Sequence, residues 1–310
     1  METENRRPAN ESSICEQIST ADGALHFIRS FYAGSPRAVL LYLHGIEGHS
    51  LWFERSAKVL QSNDITVLAL DRRGSGLSKE ARGDLKDYRQ LLDDTKEAIK
   101  FARSKAGELP LFFMANCWGA KLAAILCEDE ALSADLSGLI LSSPAIEVKV
   151  DLPLIDKLKV AWRLLTGSST PLAIPLEIAD FTDTAEFLEF IENDKLRLKE
   201  ASARFFLNTA ILTSLSKQSA EKISLPTLIV QSGIDNIVDP AGVRKWFDRL
   251  NSCDKTFHIF PDAFHSLDFH SHPQDYLDLL MNWIKSRCNG LRTLPAENDS
   301  ALIQQSRRSS

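Results

Sequence analysis

Leu111-Phe112-Phe113-Met114-Ala115-Asn116-Cys117-Trp118-Gly119-Ala120 decides how the rest of this chain is read. Four large apolar residues in succession suit a strand buried on both faces, and small residues on either side of Cys117 permit a tight turn into a helix. That strand–turn–helix shape is written in general as G-x-S-x-G, an elbow that presents a nucleophile at the end of a sheet. Here it is spelled Ala115-Asn116-Cys117-Trp118-Gly119, with alanine for the first glycine and cysteine for the serine. The chemistry implied is thiolate attack and a thioester intermediate, if a base and an acid accompany the thiol.

Outward from the elbow, apolar strands alternate with amphipathic helices. Strands are expected over 25–32, 38–43, 65–70, 111–114, 136–141, 227–230 and 256–260, and helices over 51–60, 88–106, 118–127, 241–250 and 276–287. The alternation indicates an α/β fold with a mostly parallel central sheet covered by helices on both faces. Residues 146–222 interrupt it with helical material only, at 154–165, 184–191 and 195–215. An insertion there would sit above the carboxyl ends of the strands as a cap, although its apolar residues would equally serve ordinary packing. The expected organisation is a disordered tail over 1–20, a core over 21–145 and 223–288, a helical cap over 146–222, and a disordered tail over 289–310.

Composition narrows the function classes. The chain has 310 residues, 44% hydrophobic and 25% charged, which is ordinary for a globular protein and long enough for a large core. A net charge of −6 gives no reason to expect a nucleic-acid partner. No apolar run is long enough for a membrane span, and the polar start METENRRPANESS lacks the apolar core of a signal peptide. Five scattered cysteines (Cys15, Cys117, Cys127, Cys253, Cys288) have no metal-like spacing and suit reduced thiols, so a cytoplasmic location is expected. No metal or organic cofactor is implied.

Three further motifs stand with the elbow: His44-Gly45-Ile46-Glu47-Gly48-His49-Ser50, Asp71-Arg72-Arg73-Gly74-Ser75-Gly76-Leu77-Ser78, and the pair Gly233-Ile234-Asp235 with Phe264-His265. Each is moderately specific alone, but together, in this order and at strand ends, they are strong. From about residue 24 to 287 the chain resembles α/β-hydrolases of the monoacylglycerol lipase and lysophospholipase branch (serine aminopeptidase S33-type), with a cysteine where that branch carries its serine. The family order of nucleophile, acid and histidine is met by Cys117, Asp235 and His265. Asp239 is the rival acid, but it precedes Pro240 and reads better as a helix cap. His270 and His272 come later and are expected to open the last helix. The resemblance assigns an oxyanion hole to the backbone N–H groups of Ile46 and Trp118, and makes 71–78 a supporting turn; no Gly-Lys-Ser/Thr follows it to make a phosphate loop. His44 is expected to pack beneath its loop. His49 is a candidate for the entrance, and Trp162 and Phe205 for substrate contact. Cys127 lies on an apolar helix face and reads as a core residue.

The cysteine departs from the family. A thiolate attacks and leaves readily, so attack on an unactivated ester reverts unless the leaving group is protonated. Three functions follow. The first is an acyl ester or thioester hydrolase working through an acyl-cysteine. The second is an acyltransferase passing the acyl group to an alcohol, amine or thiol. The third is a binding protein that retains the scaffold. The expected partner is a small acyl compound, lipid-like or carried as a thioester. Cap residues Leu152, Leu154, Leu158, Val160, Phe206, Ile211 and Leu212 would suit an acyl chain, and Lys157, Lys159 and Arg163 beside them a membrane surface, without insertion.

Overall fold

A computed structural model describes residues 13–288. The strands in chain order are β1 (Ile14–Ser19), β2 (Leu25–Phe31), β3 (Ala38–Leu43), β4 (Ile65–Asp71), β5 (Leu111–Asn116) and β6 (Gly138–Ser142), then the two-residue strands β7 (Leu172–Ala173) and β8 (Glu200–Ala201), then β9 (Thr227–Ile234) and β10 (Lys255–Phe264). The main sheet runs β1-β2-β4-β3-β5-β6-β9-β10. β2 is antiparallel to both of its neighbours, and every other pairing in the sheet is parallel. β3, β5 and β6 are buried throughout, as expected of central parallel strands that carry helices on both faces.

The helices are α1 (Glu54–Ser62), α2 (Tyr88–Ala106), α3 (Gly119–Leu126), α4 (Glu130–Ser133), α5 (Leu154–Thr166), α6 (Ile178–Phe181), α7 (Ala185–Asn193), α8 (Ala203–Gln218), α9 (Pro240–Asp248) and α10 (Gln274–Cys288). Asp87 starts α2 by accepting from the Arg89 N–H, which places the helix start where periodicity alone had put it. Two apolar cores flank the sheet. One includes Leu41, Phe113, Leu122 and Phe205, the other Tyr42, Phe112, Leu228 and Trp283.

Three expectations need correction. Residues 14–19, expected within a disordered tail, form β1 and pair in register with β2; the rest of that tail up to residue 12, and the tail from 289, lie outside the described residues. The helix expected over 195–215 begins only at Ala203, because the Ser202 hydroxyl accepts from the Phe205 N–H and caps it there. The residues before it form β8 and a strap against the core. His270 and His272 do not open α10, which starts at Gln274; His270 instead closes a short 3₁₀ turn over Leu267–Phe269.

The segment between β6 and β9 carries α5 to α8 and the β7–β8 ladder. Within it, α8 packs on both α3 and α5. The insertion therefore covers the helix that begins at the elbow.

Candidate active site

Four loops converge at the carboxyl ends of β3, β5, β9 and β10. Cys117 follows β5 with φ of 51°, the left-handed region that side chains other than glycine seldom occupy. The strain is held by hydrogen bonds on both sides: the Cys117 N–H donates to the Ser142 carbonyl at 2.9 Å, and its own carbonyl accepts from Ala120 and Ala145 at 3.1 and 3.0 Å. The small residues of the elbow have a steric cause. A Cβ on Gly119 would lie 2.6 Å from the His44 carbonyl oxygen, and one on Gly45 would lie 3.1 Å from the Cys117 Cβ. Only glycine lets the His-Gly loop rest directly on the Cys117 turn.

His265 stands immediately after β10 and is 1% exposed. Its Nδ1–H donates to both carboxylate oxygens of Asp235, at 3.0 and 2.9 Å. Asp235 accepts in addition from Gln231 Nε2 (3.0 Å), the Ser232 hydroxyl (2.7 Å) and the backbone N–H groups of Ile237 and Val238 (both 2.9 Å). Burial alone would raise its pKa, but the His265 charge and these donors bring it down to about 2. For His265, burial opposes the charged form, yet the Cys117 and Asp235 charges prevail and raise its pKa. Its Nε2 has no protein partner of good geometry among the described residues and faces the Cys117 thiol, which lines the same small void. Asp239, the rival acid, is the N-cap of α9 and accepts from the Ala241 N–H.

The Ile46 and Trp118 backbone N–H groups donate to no protein acceptor among the described residues. His44 is fully buried below them; its Nδ1–H donates to the Gly45 carbonyl (2.8 Å) while its Nε2 accepts from the Arg72 N–H (3.2 Å), so the ring is neutral. Asp71 ties the supporting turn, accepting from Ser50 N–H (2.7 Å) and Leu77 N–H (2.8 Å).

A cavity of about 580 Å³ opens on Cys117, Trp118 and Ile46. Cap residues Val150, Leu152, Val160 and Phe206 form much of its apolar wall. None of the three side chains expected at the entrance or against substrate lines it. His49 is 1% exposed and bonds Asp194 through Nε2 at 2.8 Å, a tie between loop and cap. Phe205 is buried behind Trp118, its ring stacked 5.6 Å away, and its neighbour Phe206 reaches the cavity instead. Trp162 is 66% exposed, because it shares the solvent stripe of α5 with Leu154, Leu158 and Leu165, while half-buried Val160 faces the cavity.

Two buried cations escaped the sequence reading. Arg72 is 1% exposed, lies 4.6 Å from the Trp118 ring, and donates from Nη2 to the carbonyls of Gly45 (3.4 Å) and Ile46. Lys121, 2% exposed, lines the cavity. Each was one charge among many in the sequence, and only an unusual lysine within the apolar run of α3 marked the second. Cys127 is a plain core thiol, its pKa pushed up to about 12 by burial. Among the described residues no group of three His, Cys, Asp or Glu side chains is arranged to hold a metal, and no helix is long and apolar enough to cross a membrane.

Sheet order, elbow and converging loops define this protein as an α/β-hydrolase enzyme. The sequence profile of the serine aminopeptidase S33 family matches residues 34–271, and the chain belongs to that family. It is 24% identical over 236 residues to phospholipase YtpA of Bacillus subtilis, covering 76% of this chain and 90% of that one. It is 24% identical over 254 residues to human monoglyceride lipase, covering 81% and 82%. In fold it is similar to a soluble variant of monoglyceride lipase from Saccharomyces cerevisiae, with a TM-score of 0.78, 18% identity, and coverage of 91% of this chain and 98% of that one.

Proposed function

We propose that the protein hydrolyses acyl esters or thioesters through a Cys117–His265–Asp235 triad and a covalent acyl-cysteine. One observation carries the reading: a strained, buried thiol faces an imidazole whose other nitrogen is clamped by a carboxylate, at the floor of an apolar cavity. The lipase and phospholipase names of its relatives support an acyl substrate with lipid-like character.

In the first half-reaction the Cys117 thiol gives its proton to His265 Nε2, and the sulfur attacks the acyl carbonyl carbon to form a C–S bond. The carbonyl oxygen becomes an oxyanion held by the Ile46 and Trp118 N–H groups. As the tetrahedral adduct collapses, the bond to the leaving oxygen or sulfur breaks, and that atom takes the proton from His265 Nε2. In the second half-reaction His265 Nε2 removes a proton from water, the hydroxide adds to the thioester carbon, and the C–S bond breaks to release the acid. Asp235 holds the ring orientation and stabilises the imidazolium in both halves. Proton delivery to the leaving group is what keeps a thiolate attack on an ester from reverting.

Acyl transfer is the second reading, favoured by the burial of Cys117, 3% exposed, which limits water at the thioester. Intact-protein mass spectrometry after mixing with acyl thioesters and activated esters tests both. A transient acyl mass is expected on the wild type and is absent from Cys117→Ala, while His265→Ala forms it slowly. Adduct decay that yields free acid whatever alcohol or amine is added supports hydrolysis, and diversion to acyl-acceptor product supports transfer. No adduct and no turnover with any donor would overturn both.

A further inference from the structure

Lys121 is a buried charge that the chemistry above does not use. It lies on α3 four residues after Cys117, and helical side chains lean toward the amino terminus, so its stem runs back toward the elbow. Its Nζ donates to the Ala145 carbonyl and to the Thr213 hydroxyl (2.9 Å), and Thr213 in turn donates to the Thr209 carbonyl (2.8 Å). An ammonium has three N–H donors, and these two partners are both neutral. Glu147 is near enough for its charge to be felt, but it pairs with Lys217 at 2.6 Å; no carboxylate pairs with Lys121 among the described residues. The wall beside it is polar as well: Thr209 and Thr213 line the cavity, and the Trp118 Nε1–H donates to Thr209 Oγ1 at 3.3 Å. Elsewhere the cavity is walled by Val150, Leu152, Val160 and Phe206, with Asp151 and Lys157 paired to each other. The Cys117 charge favours the ammonium, but acylation neutralises that sulfur; a buried ammonium then left without a counter-charge is strongly unfavourable, whereas methionine would fill the same space without that penalty. The charge therefore calls for an acceptor that arrives with the substrate.

We infer that Lys121 is a specificity-determining residue whose ammonium receives an acceptor oxygen, a carboxylate or a carbonyl, carried along the acyl chain of the substrate. The enzyme thus selects oxygenated acyl groups over plain fatty acyl groups. This rests on the acyl-cysteine reading for the orientation of the chain, with its carbonyl at Cys117 and its oxygen substituent toward α8. A lysine that merely ties α3 to the Ala145 loop would keep both hydrogen bonds and confer no such preference.

The test uses a linear acyl N-acetylcysteamine thioester, its mid-chain keto analogue and its terminal carboxylate analogue. Their binding to Cys117→Ala protein, which cannot be acylated, is measured by calorimetry. The keto or the carboxylate probe is expected to bind at least about 10-fold more tightly than the plain chain, the range for a hydrogen bond to a charged group. In Cys117→Ala/Lys121→Met that preference shrinks to about 3-fold or less, and Lys121→Arg on the same background restores part of it. The two oxygenated probes show which acceptor the site prefers. Equal binding of all three probes to Cys117→Ala, or a preference that survives Lys121→Met in a variant with a normal unfolding transition, overturns the inference. Wild-type protein run with the same probes keeps the two failures apart. Absence of an acyl mass sinks the covalent reading alone, whereas loss of selectivity in binding sinks the role of Lys121 alone.

Discussion

At the scale of single residues, the site is built from charges whose environments push them apart. Asp235 has a folded pKa of about 2 against an ordinary 3.8, so its contribution to stability is fully present above pH 4 and is lost as pH falls through 2. Asp235→Asn is expected to flatten the acid limb of urea-unfolding stability by about 2 kcal/mol, the equivalent of that shift. The same change lowers kcat by about 10³-fold or more, since His265 loses the acceptor that sets its tautomer; a stopped assay with an activated thioester measures it. Lys121 works in the opposite sense. Its pKa is lowered to about 8 from 10.5 by burial, so the unfolded chain binds more protons between those values and stability rises with pH across them. Lys121→Met is expected to raise stability at pH 7 by about 1–3 kcal/mol, with a smaller gain at pH 10. Denaturation of both proteins at the two pH values decides the matter. Cys117, Asp235 and His265 stood out as candidates in the sequence because each closes a strand and carries a recognisable neighbour. Arg72 and Lys121 were not, because whether a cation is buried depends on what packs over it.

Among the elements, the His-Gly loop and the strap before α8 behave as one piece. Glu47 accepts from Arg197 Nε at 2.6 Å, Asp194 accepts from both His49 Nε2 and Trp52 Nε1 at 2.8 Å, and the Leu198 N–H donates to the Glu47 carbonyl at 3.0 Å. The loop that carries Ile46 is thus bolted to the insertion. Burial raises the Glu47 pKa to about 7 despite Arg197, so with Arg197 gone the carboxyl has to be neutral to stay inside. Arg197→Met is therefore expected to cost about 3 kcal/mol at pH 8 and less at pH 5.5, with slower acylation at both. Thermal unfolding and single-turnover kinetics read the two effects. The sequence placed α2 and β3 to the residue, where caps and an unbroken apolar run coincide. It missed β1, whose polar, weakly alternating ICEQIS has little strand signal apart from its pairing with β2. It also ran the helix before Ala203 too far toward the amino terminus, since helical composition does not announce a serine cap.

For the whole molecule, the elbow opens on a cavity between the sheet and the insertion that follows β6. Val160→Trp or Phe206→Trp should shorten the longest acyl chain accepted, read as kcat/KM over chains of about four to twelve carbons, each buried methylene being worth about 0.8 kcal/mol. Trp162→Ala, on the solvent side of α5, is expected to leave that profile in place. The alternating strands and helices, the order of the motifs and the residue type at the elbow were determined by sequence, because they are local: periodicity, turn chemistry and residue type within a few positions. What the cavity touches was decided only by tertiary structure. Trp162 turned outward, Phe205 went behind Trp118, His49 became a tie and Lys121 became cavity wall. Each outcome depends on how the insertion between β6 and β9 lies over the sheet, a packing of distant segments that no single stretch of chain encodes.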